Sequence, residues 1–147
     1  MRLIRALVIG MVAAVVLAPA AMSEQSAASR ATLAAHSSRY GTVLFDGRGF
    51  VLYAFTADRH GRSACYGPCA GAWPPYIVRR APSAGLGAAR PLIGTTKRRD
   101  GSLQATYAGR PLYFYVGDRK PHQILCQNAS EFGGLWLVLR PSGRLVR

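Results

Sequence analysis

Hydrophobic side chains from residue 42 onward occur in short runs with a period of about two, separated by turn-forming residues. Residues 42–45 and 50–55 are such runs, and they flank an Asp-Gly-Arg-Gly turn at 46–49. Alternating apolar runs joined by a short glycine-containing turn are typical of β-hairpins. The first half of the chain is therefore predicted to contain antiparallel strands rather than helices.

The same pattern recurs in the second half of the chain. Residues 94–98 and 103–107 flank an Asp-Gly pair at 100–101 and predict a second hairpin. Residues 103–107 can also form a hairpin with the residues that follow the turn at Ala108-Gly109. Two later runs, 112–116 and 135–139, are rich in aromatic and branched side chains and predict further strands.

Helical signals are sparse after residue 40. The best candidate is a short helical turn near residues 69–73, between Cys69 and Trp73, which two consecutive prolines at 74–75 would end. Residues 82–91 combine Pro, Ser, Ala and Gly and predict a connecting loop. We therefore expect an all-β fold of mainly antiparallel hairpins, forming one compact domain.

The chain contains an internal repeat. Residues 49–59 align without a gap with residues 109–119, at an offset of 60. Each copy also continues to a cysteine and a tryptophan: Cys65 and Trp73 in the first, Cys126 and Trp136 in the second. Two copies are too few for a solenoid, so we expect two similar units, about 41–76 and 103–139, that pack their aromatic faces into one core.

The N-terminal residues have the composition of a secretory signal peptide. Two arginines precede a 16-residue apolar run that is shorter than the roughly 20 residues needed to cross a bilayer. We predict a signal peptide at 1–20, cleaved after Ala20 or alternatively after Ser23, then a poorly ordered linker at 21–39 and a single β domain at 40–147. No cysteine lies near either cleavage site, so an exported protein without a lipid or transmembrane anchor is expected, either periplasmic or secreted.

Export places the three cysteines in an oxidising compartment. Cys65 and Cys69 are the natural disulfide pair, and because helical i,i+4 spacing is too wide for a disulfide, residues 66–68 must form a turn. Cys126 is then left unpaired. We expect a free and buried thiol, although a metal ligand, an intermolecular bridge or a redox partner are alternatives.

At these motifs the chain resembles a bacterial family, the secreted repeats of unknown function, also described as predicted lipoproteins with a Yx(FWY)xxD motif. Both copies of the motif are present: Tyr53, Phe55 and Asp58 in the first, and Tyr113, Tyr115 and Asp118 in the second. The resemblance extends from about residue 40 to residue 143 and implies a bacterial, exported protein. It implies no established activity, and the chain departs from the family in lacking a lipid-attachment cysteine.

Each motif residue has a structural and a functional interpretation. Asp58 and Asp118 could form a symmetric acid pair or a cation site, but aspartates at strand exits commonly accept backbone N–H bonds, which is our preferred interpretation. The motif rings and the two tryptophans could stack on sugars or bases, but small β domains use such rings as core. We therefore predict that the motif is architectural.

Candidate catalytic and cofactor chemistry is limited. The sequence has no haem-attachment, thioredoxin, nucleophile-elbow or phosphate-loop motif, so neither a catalytic residue nor a cofactor is predicted, and a hydrolase has no motif to support it. His122 and Cys126 are four residues apart and are weak candidates for a copper or zinc site. The alternative hypothesis is an extracytoplasmic redox or metal-binding protein that uses Cys65, Cys69 or Cys126 with His122.

The charge points to anionic partners. The 147 residues contain 19 Lys and Arg against 6 Asp and Glu, a formal charge of +13, while the hydrophobic content of 50% excludes a disordered chain. Basic residues form four groups, at 79–80, 97–99, 119–120, and Arg140 with Arg144 and Arg147, and three of these groups sit at turns or ends. They are interpreted either as a solvated rim or as a contact surface for anionic material. The leading hypothesis is a non-enzymatic envelope module that contacts anionic polymers or lipid head groups, not specific nucleic acid, chiefly through Lys97, Arg98 and Arg99.

Overall fold

The computed structural model describes residues 31–59 and 61–147. This part of the chain forms ten strands, one short α-helix and one 3-10 turn at Arg90–Leu92. The strands are β1 (Thr32–Ser38), β2 (Gly41–Asp46), β3 (Tyr53–Phe55), β4 (Ile77–Val78), β5 (Ser83–Ala84), β6 (Ile93–Lys97), β7 (Leu103–Tyr107), β8 (Arg110–Pro111), β9 (Ala129–Glu131) and β10 (Gly134–Val138), and the helix α1 is Pro68–Ala72. The predicted all-β class, with a short helical turn, is confirmed.

The strands form three small sheets. The first has the order β2-β1-β5, the second β3-β10-β9, and the third β4-β7-β6 with β8 also paired to β7. All pairings between these strands are antiparallel except that of β1 with β5, which is parallel. The two family-like repeats contribute to a common fold, because β3 of the first repeat pairs with β10 of the second.

The prediction of a poorly ordered linker at 21–39 is wrong from residue 32 onward, since β1 occupies that segment and pairs along its length with β2. Leu33 and Ala35 point inward and are buried, which alternation in a strand permits. The small side chains suit a close contact: a Cβ on Gly87 would lie only 2.9 Å from the Cβ of Ala35. Residues 21–30 and the predicted signal peptide at 1–20 lie outside the described residues.

The two predicted hairpins differ in outcome. The second is confirmed, because β6 and β7 pair in register from Lys97 with Leu103 to Ile93 with Tyr107. In the first, β2 takes β1 as its main partner, and the chain after the turn returns to β2 through one bridge, Phe45 with Val51, besides backbone hydrogen bonds.

The predicted strand at 112–116 is not a regular strand. Tyr113 forms isolated bridges with both Tyr53 and Pro75, and the backbone N–H of Phe114 donates to the carbonyl of Pro74. Successive residues therefore bond to different segments, which prevents a continuous ladder. The predicted strand at 135–139 is confirmed in β10, shifted by one residue.

Two hydrophobic clusters form the core. The first is mainly aromatic, with the motif rings and both tryptophans, and contains the disulfide. The second is mainly aliphatic and lies between β1, β2 and β7, where Leu33, Leu44 and Tyr107 are fully buried. The aromatic cluster draws from both repeats, as predicted from the duplication.

Candidate functional site

The two motif tyrosines meet at the centre of the molecule. The backbone N–H of Tyr53 donates to the carbonyl of Tyr113 over 2.9 Å, and the N–H of Tyr113 donates to the carbonyl of Tyr53 over the same distance. Both side chains are fully buried. Equivalent residues of the two repeats are thus joined by a reciprocal pair of hydrogen bonds.

The tyrosine hydroxyls cross from one repeat to the other. Tyr53 donates to the Oδ2 of Asp118 over 2.7 Å, and Tyr113 donates to the Oδ2 of Asp58 over 2.8 Å. The Oδ1 atoms accept backbone N–H groups, from Ala64 for Asp58 (2.7 Å) and from Leu125 for Asp118 (2.9 Å). The backbone contacts agree with the expected turn-capping role, whereas the crossing between repeats was not foreseen.

The aromatic rings form a continuous stack through the core. Phe55 stacks on Trp136 at 4.1 Å between ring centroids, Trp136 stacks on Trp73 at 4.1 Å, and Trp73 contacts Tyr115 at 4.7 Å. Phe55 of the first repeat therefore lies on Trp136 of the second, and Tyr115 of the second repeat lies on Trp73 of the first. Tyr115 is only half-buried, so the core prediction is incomplete for that residue. The indole N–H of Trp73 donates to Glu131, while that of Trp136 is buried without a partner among the described residues.

Burial controls the ionisation of the crossed pairs. Desolvation raises the pKa of Asp58 from 3.8 to about 6, against the lowering effect of the Ala64 N–H, the Tyr113 hydroxyl and the Arg98 charge. Desolvation also raises the pKa of Asp118, and it raises the pKa values of Tyr53 and Tyr113 well above their usual range. Since every carboxylate oxygen already accepts a hydrogen bond, this geometry favours an architectural role over a cation site.

The predicted disulfide between Cys65 and Cys69 is confirmed. Gly67 adopts a positive φ of 54° between them, so the chain turns before α1 begins, as the spacing requires. The two Cα atoms are 5.2 Å apart, and both cysteines are buried. The disulfide belongs to the aromatic cluster and lies directly against the hydrogen-bond network of Arg98.

Arg98 is not an exposed contact residue, and this part of the basic-turn prediction is wrong. Its side chain is only 6% exposed and donates to Ser63, to the side chain of Gln104 and to the carbonyl of Cys65, each over 2.8 Å. The Oγ of Ser63 also lies 2.8 Å from the hydroxyl oxygen of Tyr113, within hydrogen-bonding distance, so Arg98 is linked to the crossed pair. Burial together with these three hydrogen bonds makes Arg98 a structural cation.

Lys97 and Arg99 are exposed, as predicted, and they line a basic groove. The groove has a volume of about 660 Å³ and also includes Arg62 and Tyr66. The guanidinium of Arg99 lies 3.8 Å from the centroid of the Tyr66 ring, and that of Arg98 lies 4.3 Å from it. The aromatic ring therefore orders the arginines through cation–π contacts.

A second basic cavity, of about 580 Å³, was only partly anticipated by the sequence. It is lined by Arg110, Arg140, Arg144 and Arg147 with Ser142 and Leu145. The sequence grouped the last three arginines, but Arg110 joins them through the fold, since it lies about thirty residues earlier. The Pro-Ser-Gly sequence at 141–143 is typical of a turn and is the sequence feature nearest to this cavity.

The weak metal candidates do not form a cluster. The ring of His122 packs against His36 and Phe45, at centroid distances of 5.2 Å each, whereas the thiol of Cys126 contacts the hydroxyl of Tyr115. Cys126 is free and half-buried. In residues 31–59 and 61–147, no group of three or more potential His, Cys, Asp or Glu metal ligands is present.

Comparison with known proteins gives a family but no characterised relative. The family model described as a secreted repeat of unknown function matches twice, at residues 35–76 and 94–140. No curated protein and no solved structure matches the chain. No helix in the described part of the chain is long and apolar enough to span a membrane. The two matches cover most of the described fold and coincide with the internal duplication, and the chain therefore belongs to the family of secreted repeats of unknown function.

Proposed function

We propose that this protein is an exported, non-enzymatic module that contacts anionic material of the cell envelope through exposed basic side chains. We also propose that it is released rather than lipid-anchored, because no cysteine lies near the predicted cleavage sites. The observation that carries the proposal is the gathering of exposed basic residues around open grooves. Exposed charges of one sign attract oppositely charged polymers, with a strength that falls as salt is added.

The repeat motif has a structural role, which separates it from the basic surface that would contact a ligand. The conspicuous tyrosines and aspartates bond to each other across the repeats, and the tryptophans stack on each other. These groups already have partners inside the fold, which leaves the basic surface as the feature available to a ligand. The motif builds the scaffold, and the turns between its strands present the charge.

Few of the basic side chains are neutralised within the protein. The described residues contain one ion pair, between Arg48 and Asp46 at 2.8 Å. Lys97 and Arg99 face the groove and form no ion pair with any described residue, and Arg99 is held in place by Tyr66. An anionic polymer in this groove would meet positive charges whose positions are partly fixed, which lowers the entropy cost of binding.

The test compares two double variants of equal charge on a heparin column. Lys97→Gln with Arg99→Gln removes the exposed charges of the groove, and Arg119→Gln with Lys120→Gln removes the same charges from an exposed loop elsewhere. We expect the groove variant to elute at clearly lower salt than both wild type and the loop variant.

Two results would contradict the proposal. Wild-type retention that persists at high salt would mean that binding is not electrostatic. Equal elution of the two variants would mean that total charge, rather than this groove, determines retention. Arg98 is left unchanged because its removal would disturb the core.

A further inference from the structure

The second basic cavity is built by two turns held in contact. Gly143 has a positive φ of 81° and its Cα faces Ala108 so closely that a Cβ at residue 143 would collide with the Cβ of Ala108. The hydroxyl of Tyr107 donates to the carbonyl of Pro141 over 2.6 Å. These contacts bring the β7–β8 turn, with Arg110, against the turn that carries Arg140 and Arg144. The cavity is therefore part of the folded structure rather than a chance meeting of mobile side chains.

The arginines of this cavity form no ion pair in the described part of the chain. Arg110, Arg140 and Arg144 are all exposed, and no Asp or Glu side chain is among the described residues that line the cavity. The guanidinium of Arg140 lies against Gly41, where any larger residue would displace it. Like charges gathered in one place repel each other, so an anion between them would relieve an unfavourable interaction.

The composition of the cavity selects among anions. A guanidinium binds phosphate through two parallel N–H bonds, and a phosphate group offers more charged oxygens than one carboxylate to satisfy several arginines at once. A volume of about 580 Å³ exceeds the size of a single phosphate and lies within the range of ligand pockets. Among the described residues the lining contains arginine, serine and leucine and no aromatic ring, so it offers no platform for stacking a nucleobase.

We infer that the cavity between Arg110, Arg140 and Arg144 binds phosphate groups of an envelope polymer or lipid, an inference that rests on the proposed function and gives it a ligand class. The cavity is separate from the Lys97 groove. Lys97 pairs with Leu103 at the start of β7, and Arg110 pairs with Tyr107 at its end. Four residue steps of a strand separate the two positions by about 14 Å.

The experiment titrates the full mature chain with tripolyphosphate at physiological ionic strength, using calorimetry. We expect saturable binding that weakens at least about tenfold in the Arg140→Gln, Arg144→Gln variant, the loss that follows from removing charge-assisted hydrogen bonds. Arg79→Gln with Arg80→Gln is the matched control, since both arginines are exposed and neither lines the cavity. Circular dichroism checks that each variant folds.

Two further arms identify the ligand chemistry and its source. Citrate also carries several negative charges, but on carboxylates. If the protein binds citrate as tightly as tripolyphosphate, the inference of a phosphate site is overturned. Vesicles of phosphatidylglycerol, compared with phosphatidylcholine, test a lipid head group. Binding to phosphatidylglycerol that depends on Arg140 and Arg144 supports a lipid source, whereas tripolyphosphate binding alone supports a soluble polymer.

Failure of this inference is distinguishable from failure of the proposed function. If the Arg140→Gln, Arg144→Gln variant binds tripolyphosphate like wild type, or if the control variant loses as much affinity, the phosphate site is overturned. The proposed function still stands in that case if heparin retention depends on Lys97 and Arg99. If wild type is not retained on heparin and binds no phosphate probe, both fail together.

Discussion

Asp58 and Asp118 occupy equivalent sequence positions, and because Asp58 is half-buried and Asp118 is buried, their carboxylates lose much of their contact with water. The fold compensates by supplying one side-chain donor from the other repeat and one backbone donor from the adjacent loop. Because each carboxylate is held by groups that are far apart in the sequence, its environment depends on the complete fold. Ionisation of these residues therefore reports on the folded state.

We predict that Asp58 makes stability fall as the pH rises from about 4 through about 6. The folded protein holds this proton more tightly than the unfolded chain, because desolvation raises the pKa from 3.8 to about 6. The stabilising contribution is fully present below pH 4 and is lost as the carboxyl ionises. Urea unfolding across pH 3.5–7.5 should show that the stability of wild type relative to Asp58→Asn decreases over this interval.

The carboxyl resonances provide a direct check on this prediction. The pKa of Asp100 is lowered, since the Ser102 hydroxyl and N–H both donate to its carboxylate, so in the same spectrum the titration midpoint of Asp100 should lie below its ordinary value and that of Asp58 above it. An Asp58 signal that titrates at its ordinary value would show that water reaches the carboxylate. The pH dependence of stability should then be unchanged in Asp58→Asn.

The buried position of the Arg98 side chain could not be predicted from the sequence alone. Three consecutive basic residues before an Asp-Gly turn indicate an exposed hairpin tip, and Lys97 and Arg99 behave in that way. Arg98 instead points inward, because side chains alternate and Ser63 and Gln104 supply acceptors beneath the turn. The alternation was visible in the sequence, but two of the acceptors, Ser63 and the carbonyl of Cys65, come from a distant segment of the chain.

Among the elements, the small ring closed by Cys65 and Cys69 connects the basic turn to the core. Arg98 donates to the carbonyl of Cys65, and the disulfide packs within the aromatic cluster. Residues 65–69 are thus fixed both covalently and by hydrogen bonding. The ring positions the turn through which the Tyr66 side chain reaches Arg99.

We predict that reducing this disulfide costs only about 2 kcal/mol, because closing so short a loop removes little entropy from the unfolded chain. Urea unfolding of wild type with and without a phosphine reductant measures the change. The protein should remain folded after reduction. A Cys65→Ser, Cys69→Ser variant is the control and should be insensitive to the reductant.

A reduced protein that is fully unfolded would contradict this view, since the bridge would then be essential to the whole domain. No effect of reduction on wild type would also contradict it, because the ring would then contribute nothing. Cys126 is free in both forms and does not enter the comparison.

Elements whose signals are local were predicted well from the sequence. The Asp-Gly pair at 100–101 placed the β6–β7 hairpin, and the prolines at 74–75 placed the end of α1. β1 was missed because its Ala-rich composition lacks large side chains, although tight packing against Gly85 and Gly87 requires small ones. The 112–116 segment was misassigned because its apolar pattern reports burial, whereas its hydrogen bonds go to several different partners.

At the scale of the whole molecule, the repeats are interlocked rather than merely adjacent. Backbone bonds, tyrosine–aspartate bonds and ring stacking all join one repeat to the other. The sequence predicted a shared aromatic core from the duplication. It could not predict the exchange of partners, because an offset between repeats shows which residues are equivalent and not which ones touch.

The exchange predicts energetic coupling between repeats. In a double-mutant cycle, Tyr53→Phe and Asp118→Asn should show an interaction energy of about 1 kcal/mol or more, the range for residues that share a hydrogen bond. Tyr53→Phe and Asp58→Asn, which lie in one repeat, should add to within about 0.5 kcal/mol. Urea unfolding of the single and double variants provides both values. The opposite ranking would show that each repeat is held together internally.

The crossed bonds also bear on the ancestry of the fold. At the interface of a symmetric homodimer, residue i of one subunit contacts residue j of the other, and residue j of the first contacts residue i of the second. Tyr53 with Asp118 and Tyr113 with Asp58 satisfy that rule within one chain. A gene encoding a single copy would have produced subunits that each needed a partner to satisfy their tyrosine, and its duplication and fusion would have turned a subunit interface into the interior of a monomer.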